Sequence, residues 1–199
     1  MITKNLTLCP ALLLAALFLT PRAEGKAQQL GLKGAEKPKT STAETIPCYS
    51  YKNYSILARS SGDSVGSDIL VNKAGNCRWD EQTALLFLKN SGADYFFGLH
   101  GKFLFVDSGT GPSPRLITVY NLQKSTAVYS ARYSEPIAQK KGILRHWSPT
   151  STKADEKNCP ALKIWAKDGL GAAIEEERTV ELATLKQSKT VRTRCSARQ

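Results

Sequence analysis

Histidine and methionine are scarce in this chain: two and one, respectively, in 199 residues. That scarcity excludes a histidine-rich metal centre and a methionine-rich adaptable binding surface. No G-x-x-x-x-G-K-S/T loop occurs, so a phosphate cradle of the P-loop kind is absent. Gly169-Leu-Gly-Ala-Ala-Ile174 contains part of a dinucleotide fingerprint. Its third glycine is missing, and no parallel unit follows. No C-x-x-C pair occurs and no histidine lies near a cysteine, which argues against zinc. No cofactor and no metal are therefore expected.

Acidic residues are also in deficit. Lys and Arg number 28 against 17 Asp and Glu, a formal net charge of +11. Apolar residues make up 41% and charged residues 23%, the balance of a folded domain rather than a disordered chain or a membrane bundle.

Residues 1–25 read as a secretory signal peptide. Lys4 provides the positive start and Leu6 through Leu19 an apolar run. The run is shorter than the roughly 20 residues that span a bilayer, and Pro10 interrupts it. Ala23-Glu24-Gly25 places small residues where a signal peptidase cuts, before Lys26. No later stretch is long and apolar enough to span a membrane. The expected location is periplasmic or extracellular.

Removal of the signal takes Cys9 and leaves Cys48, Cys77, Cys159 and Cys195. An even number of cysteines in an exported chain implies disulfides, with three possible pairings. The favoured pairing is Cys48–Cys77 and Cys159–Cys195, one staple at each end of the domain. On the loop-entropy account such bridges contribute roughly 3.5–4 kcal/mol each.

Residues 26–46 lack aromatic side chains and read as a flexible leader. The folded domain is expected over 47–199. Short apolar or alternating runs recur there between Gly, Ser, Asn and Pro, the pattern of an all-β chain. The candidate strands are 50–58, 68–72, 83–89, 95–99, 102–107, 116–120, 126–133, 142–147, 162–166, 178–182 and 190–195. His100-Gly101 between two of them is the connection of a tight hairpin. The segment 80–89 has a helix-like start at Asp80, but its unbroken Leu-Leu-Phe-Leu run reads as a strand. The expected fold is mainly β: a single compact antiparallel domain, a sandwich or small barrel of roughly 8–11 short strands, stapled by disulfides. Thr118-Val-Tyr-Asn-Leu-Gln-Lys-Ser and Thr179-Val-Glu-Leu-Ala-Thr-Leu-Lys-Gln-Ser look alike. A propeller of four or more blades of about 40–45 residues does not fit the length, and the likeness is read as common hairpin chemistry.

Three features bear on function. Leu104-Phe-Val-Asp-Ser-Gly-Thr110 resembles the active-site signature of aspartic proteases. The resemblance implies that Asp107, oriented by Ser108 and Gly109, would share a proton with a second aspartate and activate water. No second Asp-Ser/Thr-Gly occurs, so such an enzyme would be a homodimer. The other reading of the motif is a turn whose side chains bond local amides. His100 and His146 have no metal-like spacing and read as packing or hydrogen-bonding residues. Finally, Lys186, Lys189, Arg192, Arg194 and Arg198 crowd the last 14 residues without an acid. They suit an anionic envelope or extracellular macromolecule. Period-2 alternation puts Arg192 and Arg194 on one face, within reach of Glu177 and Glu181 on the preceding strand, which would consume part of this charge. No aromatic residue is interleaved with these cations, which argues against nucleic acid. The reading favoured overall is an exported, non-catalytic binding protein, with the homodimeric aspartic-type peptidase as the alternative.

Overall fold

The computed structural model describes residues 31–62, 64–111 and 114–198; the expected signal peptide lies outside them. Two antiparallel sheets account for most of the described chain. The first contains β1 (Lys39–Ala43), β2 (Ile46–Ser50), β3 (Tyr54–Ser60), β4 (Ser67–Lys73) and β5 (Leu86–Leu88), in that spatial order. The second runs from β6 (Asp94–His100), β7 (Phe103–Ser108), β8 (Arg115–Asn121) and β9 (Thr126–Lys140) to β10 (Ile143–Pro149), β11 (Gly171–Glu181) and β12 (Lys186–Arg198). Within each sheet every strand pairs with its successor in sequence, so the topology is a meander throughout.

Alternation along the strands sorts the apolar side chains into layers. Ile56, Ile69 and Val71 meet Phe96, Leu99, Leu104 and Val106 between the sheets. Leu57 and Leu70 face the opposite way, toward Trp79, Phe87 and the Cys48–Cys77 disulfide. Phe103 and Phe105, on the other face of β7, join Ile117, Val119, Tyr133, Leu144, Val180 and Leu182 inside the curled second sheet. A strand buried on both faces has no polar face, which explains the continuous Phe-Leu-Phe-Val of β7. The second bridge, Cys159–Cys195, ties the loop before β11 to the last strand. Both disulfides match the expected pairing.

The expected leader differs from what is observed. Its described part is structured: residues 31–36 bond to the second sheet and residues 39–43 add an edge strand to the first. Residues 31–36 form a strap between β6 and the end of β9. The Leu32 amide donates to Phe97 O (3.4 Å) and the Glu36 amide to Leu99 O (2.9 Å). On the other side the Gln139 amide donates to Lys33 O (2.7 Å), beside a parallel bridge from Lys33 to Ala138. Leu32 is 3% exposed and belongs to the inner core. Two glycines permit this closeness. A Cβ on Gly34, whose φ is +87°, would lie 1.8 Å from Gln139 O, and one on Gly98 would lie 2.9 Å from Ala35 Cβ. Residues 39–43 then form β1, which pairs along β2.

Residues 162–166 also depart from expectation. They belong to a helix, α1 (Leu162–Lys167), rather than a strand. It ends in a Schellman arrangement, with Leu170 N bonding Trp165 O and Gly169 N bonding Ala166 O, and Gly169 supplies the left-handed residue. The segment 50–58 is broken by a turn, Tyr51 N to Tyr54 O at 2.8 Å. Asp80 caps only a turn, through Gln82 N and Thr83 Oγ1. The similar segments occupy equivalent hairpins, β8–β9 and β11–β12. In each, the leucine after the strand donates its amide to the turn of the preceding hairpin: Leu122 to Lys102 O and Leu182 to Gly142 O, both at 2.9 Å. Their likeness is thus architectural, beyond shared turn residues.

Candidate functional site

β7 places Asp107 on the same face as Phe103 and Phe105, and the residue is 6% exposed. Arg115, at the start of β8, closes on it across the connecting loop. Its Nε lies 2.8 Å from both carboxylate oxygens and its Nη2 2.5 Å from Oδ2. The Tyr133 hydroxyl donates to Oδ1 at 3.0 Å. Burial, then the neighbouring Asp107 charge, pushes the Tyr133 phenol well above its ordinary range, so it stays a donor. Both carboxylate oxygens are thus taken by a guanidinium and a phenol. A proton-sharing pair needs a second carboxyl about 3 Å away. Ser108 turns from Asp107 and donates to Asp94 Oδ1 at 2.5 Å, while the Gly109 amide donates to Ala93 O. The Asp-Ser-Gly motif closes a corner of the sheet, and its three residues serve three different partners.

His146 is wholly buried between Tyr129 and Ser148. The Ser148 hydroxyl donates to Arg132 O (3.1 Å), so at 3.2 Å the His146 Nδ1–H donates to Ser148 Oγ. Nε2 then accepts from the Tyr129 hydroxyl at 2.7 Å. Burial lowers its pKa to about 4, with the Arg178 charge helping, and the ring is neutral at pH 7. His100 stands in the β6–β7 hairpin. With the Gln139 amide oriented to satisfy its neighbours, His100 Nε2 donates to Gln139 Oε1 at 3.1 Å. Neither histidine meets a metal-binding set, and among the described residues no group of three or more His, Cys, Asp or Glu is arranged to hold a metal ion.

The β12 cations are largely spent within the sheet. Glu175 on β11 is inaccessible to solvent and accepts from Arg194 Nε (2.6 Å) and from Arg198 Nη2. Burial pushes its pKa up, but the Ser134 hydroxyl and the two arginines outweigh burial and hold it below the usual carboxylate range. Arg192 Nη1 lies 3.1 Å from Glu177 Oε1 and Lys189 Nζ 3.2 Å from Glu176 Oε1. Arg194 also stacks 4.5 Å over the Trp147 ring. Lys186 faces Glu181 across the ladder. All five residues lie on β12, which extends beyond both ends of the expected strand 190–195, and four of them have carboxylate partners. Of these acids Glu177 and Glu181 follow from strand alternation; Glu175 and Glu176 do not, although the run Glu175-Glu176-Glu177 is visible in the chain.

A different basic surface is left at the strap. Lys33 projects there beside Lys140 and Lys141 of the β9–β10 turn and Arg145 of β10, around a groove of about 640 Å³ that also takes in Ala138, Gln139 and Ile143. No acidic residue lines it. Arg145 Nε is 3.9 Å from Glu177, and Lys33, Lys140 and Lys141 have no carboxylate within 4.0 Å among the described residues. Gln139 pins the groove floor: its side-chain amide donates to Gly34 O (2.7 Å) and accepts from Gly142 N (2.8 Å). The Lys140-Lys141 pair is visible in sequence. Its union with Lys33 depends on the strap, which composition alone assigned to a loose leader.

No family model matches the chain, and neither does any curated protein or solved structure. Among the described residues no helix is long and apolar enough to cross a membrane.

Proposed function

We propose that this chain is an exported, non-catalytic binding protein whose partner is an acidic envelope or extracellular macromolecule. The surface that meets it is the strap groove rather than β12. The observation that carries this reading is the charge of that groove: four cations with no acid among its walls. Lysine ammonium groups free of internal partners remain available to a polyanion and raise its local concentration. The internal commitments of Asp107 and His146 favour binding over catalysis, since their polar atoms are engaged by protein groups. Two disulfides support residence in an oxidising compartment.

Retention on immobilised polyphosphate during a salt gradient tests the reading. The variant Lys33→Gln/Lys140→Gln/Lys141→Gln is expected to elute at clearly lower salt than the parent, because exposed charge interactions are screened over about 10 Å at 0.1 M. The variant Lys186→Gln/Lys189→Gln is expected to shift little. Unchanged retention of the triple variant would overturn the assignment.

A further inference from the structure

Cations alone do not account for the strap groove. Pairing of β9 with β10 sets Lys140 opposite Ile143 and Ala138 opposite Arg145, so these four side chains share one face. Lys33 lies alongside through its bridge to Ala138. Ile143 is 44% exposed in the middle of this charge. Its neighbours Leu144 and Gln139 point to the other face and are buried. The groove walls are mostly carbon, supplied by Ile143, Ala138 and the lysine and arginine stems. A volume of about 640 Å³ falls within the roughly 300–1,000 Å³ typical of small-molecule sites. The result is an apolar trough rimmed by positive heads.

We propose that the ligand held in this groove is an anionic amphiphile: a phosphate bearing an alkyl chain, as in an acidic lipid. The headgroup meets Lys33, Lys140, Lys141 and Arg145, and the chain covers Ile143 and Ala138. Charge complementarity selects the head, and the exposed isoleucine selects the tail. A fully hydrated polyanion would engage the ammonium groups and leave Ile143 in water. This inference rests on the reading of the groove as an anion-binding surface and names the class of anion.

The test uses the full chain with both disulfides and three probes: monomeric decyl phosphate, methyl phosphate and polyphosphate, each titrated by calorimetry. Decyl phosphate is expected to bind at least tenfold more tightly than methyl phosphate. Ile143→Thr, which keeps a β-branched residue in an exposed strand position, is expected to erase most of that advantage and leave polyphosphate binding unchanged. Lys140→Gln/Lys141→Gln is expected to weaken all three. Equal affinity for decyl and methyl phosphate overturns the inference. So does decyl phosphate binding that is indifferent to Ile143→Thr, which is how adventitious detergent binding would behave. In either case retained polyphosphate binding leaves the polyanion reading standing. Failure of polyphosphate to bind removes that reading as well.

Discussion

Gly34→Ala probes whether the strap is an integral part of the second sheet. Two costs can be worked out. A left-handed φ of +87° costs a residue with a Cβ about 1–2 kcal/mol. The new methyl would also lie 1.8 Å from Gln139 O, a backbone atom that cannot swing aside. Relief requires the strap to lift, which breaks the 2.7 Å bond from Gln139 N to Lys33 O and draws Leu32 from the core. Loss of a buried leucine from its contacts costs about 2–5 kcal/mol. The total expected is about 3 kcal/mol or more. Gly75→Ala is the matched control: its φ is +82°, but nothing lies within 4 Å of the added Cβ, so it should lose only about 1 kcal/mol. Urea unfolding at pH 7 measures both. Trypsin should cut Gly34→Ala faster at Lys33 than the parent. Equal destabilisation by the two substitutions, with unchanged cleavage, would refute the strap's closing role.

Three further outcomes are expected. The buried neutral His146 resists protonation until pH about 4, whereas in the unfolded chain it titrates near 6.5. The stability it supports is therefore complete above pH 6.5 and lost as pH falls toward 4. The loss is about 3 kcal/mol. His146→Gln should flatten that part of the urea-midpoint profile, and a profile as steep as the parent's would contradict the cause. Glu175→Gln leaves Arg194 and Arg198 without their buried counter-charge and should cost about 3 kcal/mol or more in urea unfolding. A loss below 1 kcal/mol would show that the cluster is not a structural tie. Asp107→Asn should destabilise by a similar amount through the Arg115 pair, while neither parent nor variant cleaves casein between pH 3 and 6. Cleavage by the parent that vanishes in the variant would restore the peptidase reading.

Local signals reached the strands whose pattern is imposed by their own faces. Phe103 to Val106 is apolar on both sides because two layers cover it, and a short apolar run between turn residues announces that burial. His100-Gly101 announces a hairpin because a left-handed residue is needed there, and Gly101 has φ +58°. The strap was not legible, since a single leucine between Gly31 and Gly34 has no periodicity. Its fate is decided by the edge of β6, more than 60 residues away. The helix α1 was misread because Leu162, Ile164 and Ala166 alternate like a strand, although Asp168-Gly169 carried a helix-stop signal that the structure uses. The charge on β12 was legible, but its neutralisation depends on a register in which Glu175 meets Arg194, and a bulge between Glu176 and Arg178 shifts that register. The same limit hid the groove: Lys140-Lys141 is local, and Lys33 reaches it only through the fold.

The proposed working surface is the basic groove beside the strap. It is tested most directly by the polyphosphate dissociation constants, at low and at physiological salt, of the parent, the Lys33/Lys140/Lys141 glutamine variant and an Arg192→Gln/Lys189→Gln variant of β12. The account predicts that the groove variant binds at least tenfold more weakly at both salt concentrations, with a shallower salt dependence, while the β12 variant stays within about twofold of the parent. The reverse order, with β12 dominant and the groove indifferent, would contradict it.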